Sequence, residues 1–319
     1  MKILVTGCAG FIGSHTVEYL LSQGVEVIGI DNFDNFYSRE IKLQNLSASH
    51  VSPLFTFVEG DICSSSDLSN LPSGISGVIH LAARAGVRPS ILNPEAYIHT
   101  NISGTQNILS WMGKRKIRNL VFASSSSVYG DVTPLPFRED ALVAEPVSPY
   151  AWTKRCGELM TFTAHHLNQL SVVNLRIFTA YGPRQRPDLA IRKFTELIER
   201  GEAIPVYGDG STARDYTFVQ DLVLGIWKAL VFTQQAKPVY EIINLGSQNP
   251  VSLSELIRII GKVLGREPVL NYLPMQPGDV IQTFADTGKA ARLLNYSATC
   301  TLEKGIEEFY IWMKTPQVS

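Results

Sequence analysis

Short apolar runs alternate with longer amphipathic stretches from the first residues onward. Lys2–Thr6, Val25–Ile30, Phe55–Glu59, Val78–Ala82, Asn119–Ala123, Val172–Phe178 and Glu241–Leu245 read as strands. Runs this apolar suit strands that are buried on both faces. The first helical stretch carries Val17, Leu20 and Leu21 as its buried stripe and stops at Gly24. A second helix is predicted over Pro94–Met112, with Asn101 in its interior and Lys114-Arg115-Lys116 as a solvated turn after it. A proline-rich loop (Pro134, Pro136, Pro146, Pro149) leads into a third, from Tyr150 to Asn168. Strand–helix units in this succession predict an α/β fold built on a doubly wound parallel sheet.

The character changes after Phe178. Tyr181–Pro187 reads as loop, followed by a helix from about Leu189 to Arg200 and then by Pro205-Val206-Tyr207-Gly208-Asp209-Gly210 and Arg214-Asp215-Tyr216. A helix over Val219–Val231 returns to the first domain, and helices from Ser252 to Leu264, Thr287 to Leu294 and Leu302 to Met313 finish the chain. Ser252 with Glu255 makes a capping box. The expected division is a first domain of residues 1–178 plus about 219–245, and a smaller, interleaved α/β domain of 179–218 plus about 246–319. No internal repeat or low-complexity tract interrupts it.

Bulk properties narrow the function. A chain of 319 residues with net charge −1 has ample core and no basic stripe for nucleic acid. No apolar run reaches membrane-spanning length. Met1–Val5 runs straight into a buried strand, without the pattern of a secretion signal. Four scattered cysteines, Cys8, Cys63, Cys156 and Cys300, argue for a reducing compartment and against a disulfide framework or metal site. The expectation is a cytoplasmic protein without a metal.

Two constellations carry chemistry. Gly7, Gly10 and Gly13 lie between the first strand and its helix, and the second strand ends at Asp31. Strand, glycine turn, helix, strand and acid is the order of a dinucleotide fingerprint. Glycines let backbone N–H groups approach a pyrophosphate at a helix N-terminus. Asp31 can accept both ribose hydroxyls and repels a 2′-phosphate, so NAD is read over NADP. Asp61-Ile62 follows the third strand, within reach of an adenine edge, and Leu81-Ala82-Ala83 ends the fourth, against the cofactor. In the second constellation, Tyr150 and Lys154 share one face of a helix. The ammonium is expected to lower the tyrosine pKa, making a base, with the serines Ser124–Ser127 delivered to the same sheet edge.

Thr6-Gly7-Cys8-Ala9-Gly10-Phe11-Ile12-Gly13, Asp31-Asn32, Asp61-Ile62, His80-Leu81-Ala82-Ala83, Asn101, Ser124–Gly130 and Tyr150-x-x-x-Lys154 together resemble the extended short-chain dehydrogenase/reductase family of NAD-dependent sugar-nucleotide epimerases and dehydratases. The resemblance covers nearly the whole chain. It implies a Rossmann domain with tightly bound NAD, contacted by those residues from Gly7, Phe11 and Ile12 through Asn32 and Asn101, and a C-terminal domain for a UDP-sugar. It implies Tyr150, Lys154 and Ser125 as catalytic residues, and a homodimer through the Pro94 and Tyr150 helices. Dehydratases and decarboxylases of the family carry an acid beside the catalytic serine, where this chain has Ser126 and Ser127. That departure favours an epimerase.

Ala85–Ser90 and Arg176–Asp188 resemble the epimerases that act on a UDP-linked uronic acid, and Thr179 stands where neutral-sugar enzymes have asparagine. Thr179, Ser126 and Ser127 are expected to hydrogen-bond the C6 carboxylate, with Arg88, Arg184 or Arg186 to neutralise it. The resemblance further implies Arg214 at the diphosphate, Asp279 near the uridine ribose, and Val206 among the substrate-binding residues. A UDP-glucose/UDP-galactose epimerase, a dehydratase or decarboxylase, and a catalytically silent NAD-binding regulator are the competing readings.

Overall fold

Seven parallel strands form the sheet that carries the site, in the computed structural model that describes residues 1–274 and 280–315. They are β1 (Lys2–Thr6), β2 (Glu26–Asp31), β3 (Phe55–Glu59), β4 (Gly77–His80), β5 (Asn119–Ser125), β6 (Ser171–Ile177) and, later in the chain, β10 (Tyr240–Leu245). Their order across the sheet is β3-β2-β1-β4-β5-β6-β10. Strands β1, β4, β5 and β6 are almost wholly buried, because helices cover both faces. The chain runs outward from β1 through β2 to β3, then crosses back to lay β4 on the other side of β1. This reversal opens a crevice at the carboxyl ends of β1 and β4, where such sheets bind ligands.

Two cores flank the sheet. On one side, Val17 and Leu20 of the Phe11–Ser22 helix and Leu222, Ile226 and Leu230 of the Val219–Thr233 helix pack on β1, β5 and β6. Ala290, Leu294 and Tyr296 join the same core, although the sequence places them in a stretch read as second domain. On the other side, Ile108, Trp111 and Met112 meet Leu68, Leu71 and Phe122.

The second domain holds a three-stranded sheet, β7 (Thr179–Tyr181) with β9 (Ala213–Phe218) and β11 (Pro250–Ser252), and the pair β8 (Ile204–Tyr207) with β12 (Leu270–Leu273). Its core gathers Phe194, Ile198, Leu256, Ile260 and Phe309 from three amphipathic helices. Among the described residues, no helix is long and apolar enough to cross a membrane.

Three local features differ from the expectation. Residues 39–50 form a helix that had not been anticipated, capped by Ser38, whose hydroxyl accepts the Ile41 N–H. The Pro94 helix is not uniform: Pro94–Tyr97 is α-helical, Ile98–Gly104 is a π-turn and Thr105–Arg115 is α-helical again. Lys114 and Arg115 belong to its last turn rather than to a solvated turn, which suits the negative end of the helix dipole. Lys116, at φ 57°, is the residue that ends it.

Candidate active site

The crevice is a cavity of about 480 Å³ that runs from the glycine turn past the ends of β4 and β5 to the start of β7. At one end, Gly7 has φ +70°, and a Cβ there would lie 2.8 Å from the Ala82 backbone. A Cβ on Gly13 would lie 2.0 Å from the Gly7 carbonyl oxygen. Glycine is therefore required at both positions for the turn to close against β4. The Phe11 helix begins at Gly10 with no capping side chain and no acidic residue in its first turn. Its first N–H groups are left for an external anion. The donor set fits the diphosphate of a dinucleotide.

Asp31 ends β2 at the next position along the rim, and its carboxylate accepts the Ala9 and Phe33 N–H groups at 3.1 and 2.9 Å. Burial raises its pKa, with buried Lys42 opposing that shift. Asn32 donates to Asp61 at 3.0 Å, which ties the ends of β2 and β3 together.

At the other end, Ser148 caps the 20-residue Tyr150 helix by accepting the Ala151 N–H, and Pro149 fills the first turn where no N–H is needed. The Tyr150 N–H donates to Ser90 at 3.0 Å, and its ring packs edge-on against Tyr97 with centroids 6.3 Å apart. These contacts set the helix so that Tyr150 and Lys154 face the ends of β5 and β6 beside Ser125. Lys154 Nζ donates to the Ala123 carbonyl at 2.7 Å. The Ser125 hydroxyl donates to Ser127 Oγ at 3.1 Å and accepts the Ser127 N–H.

The electrostatics reverse one expectation. Burial raises the Tyr150 pKa, and the Ser125 hydroxyl and Arg186 charge oppose it without overcoming it. Lys154 is not among the groups that oppose the rise: burial lowers its own pKa to about 8, and its Nζ donates to the Ala123 carbonyl. Desolvation thus outweighs the helix spacing.

Behind the site, Glu158 lies one helical turn beyond Lys154 and accepts Ser124 Oγ at 2.6 Å and both Nε and Nη2 of Arg176 at 2.9 Å. This buried network joins the Tyr150 helix to β5 and β6.

The sequence pattern of the NAD dependent epimerase/dehydratase family matches residues 3–246. The chain belongs to that family. Its relatives include a UDP-glucuronate 4-epimerase of Thermodesulfobacterium geofontis, 42% identical over 98% of this chain and 95% of the other. UDP-glucuronate 4-epimerase 4 of Arabidopsis thaliana is 38% identical over 98% of this chain and 75% of its own. Among solved structures, the UDP-glucuronic acid 4-epimerase from Bacillus cereus in complex with UDP-glucuronic acid and NAD superposes with a TM-score of 0.91, at 36% identity over 98% of this chain and 99% of that one. The Thermotoga maritima UDP-glucose 4-epimerase with UDP-glucose reaches 0.87 at 31% identity, over 98% and 99%. The chain is an NAD-dependent isomerase on a Rossmann-like α/β fold.

Within this epimerase-family cleft the structure gathers Gly7, Gly10, Phe11, Ile12, Gly13, Asp31, Asn32, Asp61, Ile62, Leu81, Ala82, Ala83, Ser125, Tyr150 and Lys154, with Ser126, Ser127, Thr179 and Arg186 beside them. Four others stand apart. Asn101 is buried behind the wall, where its amide holds the backbone N–H and carbonyl of Arg84 and the Thr153 hydroxyl. Arg88 stacks on the Tyr207 ring at 5.1 Å. Val206 lies in the second-domain core. Arg214 donates to the Ala213 and Ile281 carbonyls. Asp279 lies outside the described residues.

Of the arginines considered for a carboxylate, Arg184 pairs with Glu18 at 2.6 Å and only Arg186 lines the cleft. Sequence reasoning missed Asp34, Phe36, Tyr37, Lys42 and Arg84, all of which line the same cleft. A signal for Lys42 existed: it sits in the first turns of a helix announced by Ser38. The pairing of Arg84 had none, since its partner lies 50 residues away.

Proposed function

We propose that this chain interconverts UDP-glucuronic acid and UDP-galacturonic acid through a 4-keto intermediate. The observation that carries the reading is the group of side chains placed around Tyr150. Ser126, Ser127 and Thr179 offer three hydroxyls, and the Arg186 guanidinium, paired through two 2.9 Å contacts with Asp188, lines the same cleft. Together they suit the C6 carboxylate of a uronic acid. The relatives that act on UDP-glucuronic acid, and the bound UDP-glucuronic acid of the Bacillus cereus structure, support it.

Tyr150, as phenolate, takes the proton from the sugar 4-hydroxyl, and Ser125 hydrogen-bonds the same oxygen. NAD supplies the hydride acceptor and a positively charged ring that favours the phenolate Tyr150 needs despite its burial. Lys154, beside Tyr150 in the cleft, would hold the adjoining ribose. The keto sugar turns in the pocket while the UDP stays bound, its diphosphate at Arg214. Tyr150 then returns the proton to the oxygen as C4 is reduced on its other face.

The intermediate is a β-keto acid, which loses CO2 when its C–CO2 bond stands perpendicular to the carbonyl plane. Hydrogen bonds from Thr179, Ser126 and Ser127 hold the carboxylate away from that geometry. The absence of an acid at Ser126 and Ser127 leaves elimination chemistry without its extra group, which disfavours a dehydratase. The nearest alternative is the neutral UDP-glucose/UDP-galactose pair. Parallel assays on both pairs test the proposal: turnover of the uronic acids supports it, and activity confined to the neutral pair overturns it.

The same reading includes a cytoplasmic homodimer through the Pro94 and Tyr150 helices. Ile98, Leu159 and Phe162 on those helices are 40%, 52% and 51% exposed, an apolar surface suited to a second copy. Light scattering on the purified protein tests this: a dimer mass supports it, and a monomer mass overturns it.

A further inference from the structure

Arg84 and Asp34 meet across the mouth of the glycine turn. Arg84 follows β4 and Asp34 follows β2, and β1 lies between those strands in the sheet. The registers align Thr6 of β1 with His80 on one side and Ile30 on the other, so all three strands end side by side. At about 4.8 Å per interstrand step, the two loops leave the sheet roughly 10 Å apart. They are nevertheless joined, Arg84 Nη2 to Asp34 Oδ2 at 2.6 Å. The bridge therefore spans the end of β1, in the cleft that the glycine turn also lines.

Both ends of the bridge are held by backbone. Asn101 accepts the Arg84 N–H at 2.8 Å and donates to its carbonyl at 3.1 Å. Its inward placement comes with the π-turn, a local widening of the helix that often marks functional positions. On the other side, Asp34 Oδ1 accepts the Phe36 N–H at 3.0 Å, the Asn32 side chain accepts the Asp34 N–H at 2.9 Å, and Lys42 donates to the Asp34 carbonyl at 2.5 Å. Past Asp34, the Phe36 ring lies under the Arg186 guanidinium at 5.2 Å, so the same loop also reaches the second domain. Asn101 donates on to Thr153, whose hydroxyl donates to the Tyr150 carbonyl at 2.8 Å, which links the clasp to the Tyr150 helix.

We propose that the Arg84–Asp34 pair is a clasp that retains NAD through the catalytic cycle, with Asn101 as its positioning residue. A reaction that oxidises and re-reduces one sugar holds a reduced cofactor and a keto sugar together. Loss of the cofactor at that moment leaves the enzyme unable to finish. The clasp closes the route by which the dinucleotide would lift off the turn. The proposal rests on the NAD dependence of the chain and not on which sugar it takes.

The test is the dissociation rate of bound fluorescent etheno-NAD, displaced by excess NAD, in the purified full-length protein. Arg84→Gln and Asp34→Asn are each expected to speed release about tenfold, the change that corresponds to roughly 1.4 kcal/mol. The charge-exchanged variant, Asp34→Arg with Arg84→Asp, is expected to return to within about threefold of the parent. Arg39→Gln, which breaks the exposed pair between the first residue of the 39–50 helix and Glu59 at the end of β3, is expected to leave the rate unchanged. Single variants within twofold of the parent overturn the clasp. So does faster release in Arg84→Gln alone with no recovery in the exchanged variant, which makes Arg84 a direct ligand. Should the neutral variants fail to fold, Arg84→Lys and Asp34→Glu report the same rate with the charges kept, and release equal to the parent's in both overturns the geometry.

Discussion

Arg176→Met removes one partner of the buried ion pair behind the site. Arg176 and Glu158 are 1% and 0% exposed and bonded at 2.9 Å through two parallel contacts. Breaking such a pair from one side costs about 3–5 kcal/mol, because the remaining charge stays buried. Two features modify that figure. Arg176 Nη1 has no hydrogen-bond acceptor, so the substitution also removes a buried unsatisfied donor, a relief of about 1 kcal/mol. Glu158 keeps the Ser124 hydroxyl and the partly exposed Arg155, at 2.9 Å. The expected loss for Arg176→Met is therefore about 3 kcal/mol, a large share of a typical domain's 5–15. Glu158→Gln should cost more, since the amide offers Arg176 one neutral acceptor in place of two charged oxygens, beside the Tyr129 ring 4.7 Å from its guanidinium. The double variant should fall short of the sum. Burial pushes the Glu158 carboxyl up, but Arg176 and Ser124 outweigh it and hold the pKa below the ordinary carboxylate range. Its contribution is present above the unfolded-state pKa and disappears as pH falls through the lower folded value, so the double variant should also flatten the acid limb of stability. Urea unfolding at fixed NAD, with the m-value checked, reads all three. Losses under about 1 kcal/mol, or Arg176→Met costing more than Glu158→Gln, would refute this reasoning.

Three further outcomes follow from the site. Tyr150→Phe should lower kcat by about 10²–10⁴-fold, the usual share of a general base, while NAD remains bound; unchanged turnover means the hydroxyl is not used. Lys154, whose pKa falls to about 8, binds fewer protons folded than unfolded between that value and the ordinary lysine range, so stability should rise with pH there. Lys154→Met should flatten the rise in a pH series of melting curves, and an unaltered slope contradicts the assignment. Thr179→Val and Ser127→Ala should slow epimerisation of UDP-glucuronic acid and increase CO2 release, measured as carbonate from C6-labelled substrate; neither changing removes these hydroxyls from carboxylate control.

The sheet was legible because its strands are short apolar runs, a pattern that burial on both faces enforces in β1, β4, β5 and β6. The glycine turn and the Tyr150–Lys154 spacing were legible because local geometry dictates both. The pairing of Asp34 with Arg84 was not, since it depends on β1 lying between β2 and β4. Nor was the π-turn at Ile98–Gly104, which no simple periodicity encodes and which turns Asn101 toward Arg84. Arg88 stacking on Tyr207 and Arg184 pairing with Glu18 set two of the three candidate arginines apart from Arg186, which lines the cleft; contacts this distant in sequence are not written in the local pattern. The raised Tyr150 pKa shows the same limit: i, i+4 spacing places an ammonium nearby, but burial decides the sign.

The most direct test of the proposed chemistry is incubation of the purified protein with UDP-glucuronic acid deuterated at C4, followed by mass and NMR analysis of the sugar. Removal and return of hydrogen at one carbon predicts UDP-galacturonic acid with deuterium retained at C4. A product that has lost C4 deuterium to solvent, a pentose with CO2, or an unchanged substrate beside active turnover of UDP-glucose would contradict it.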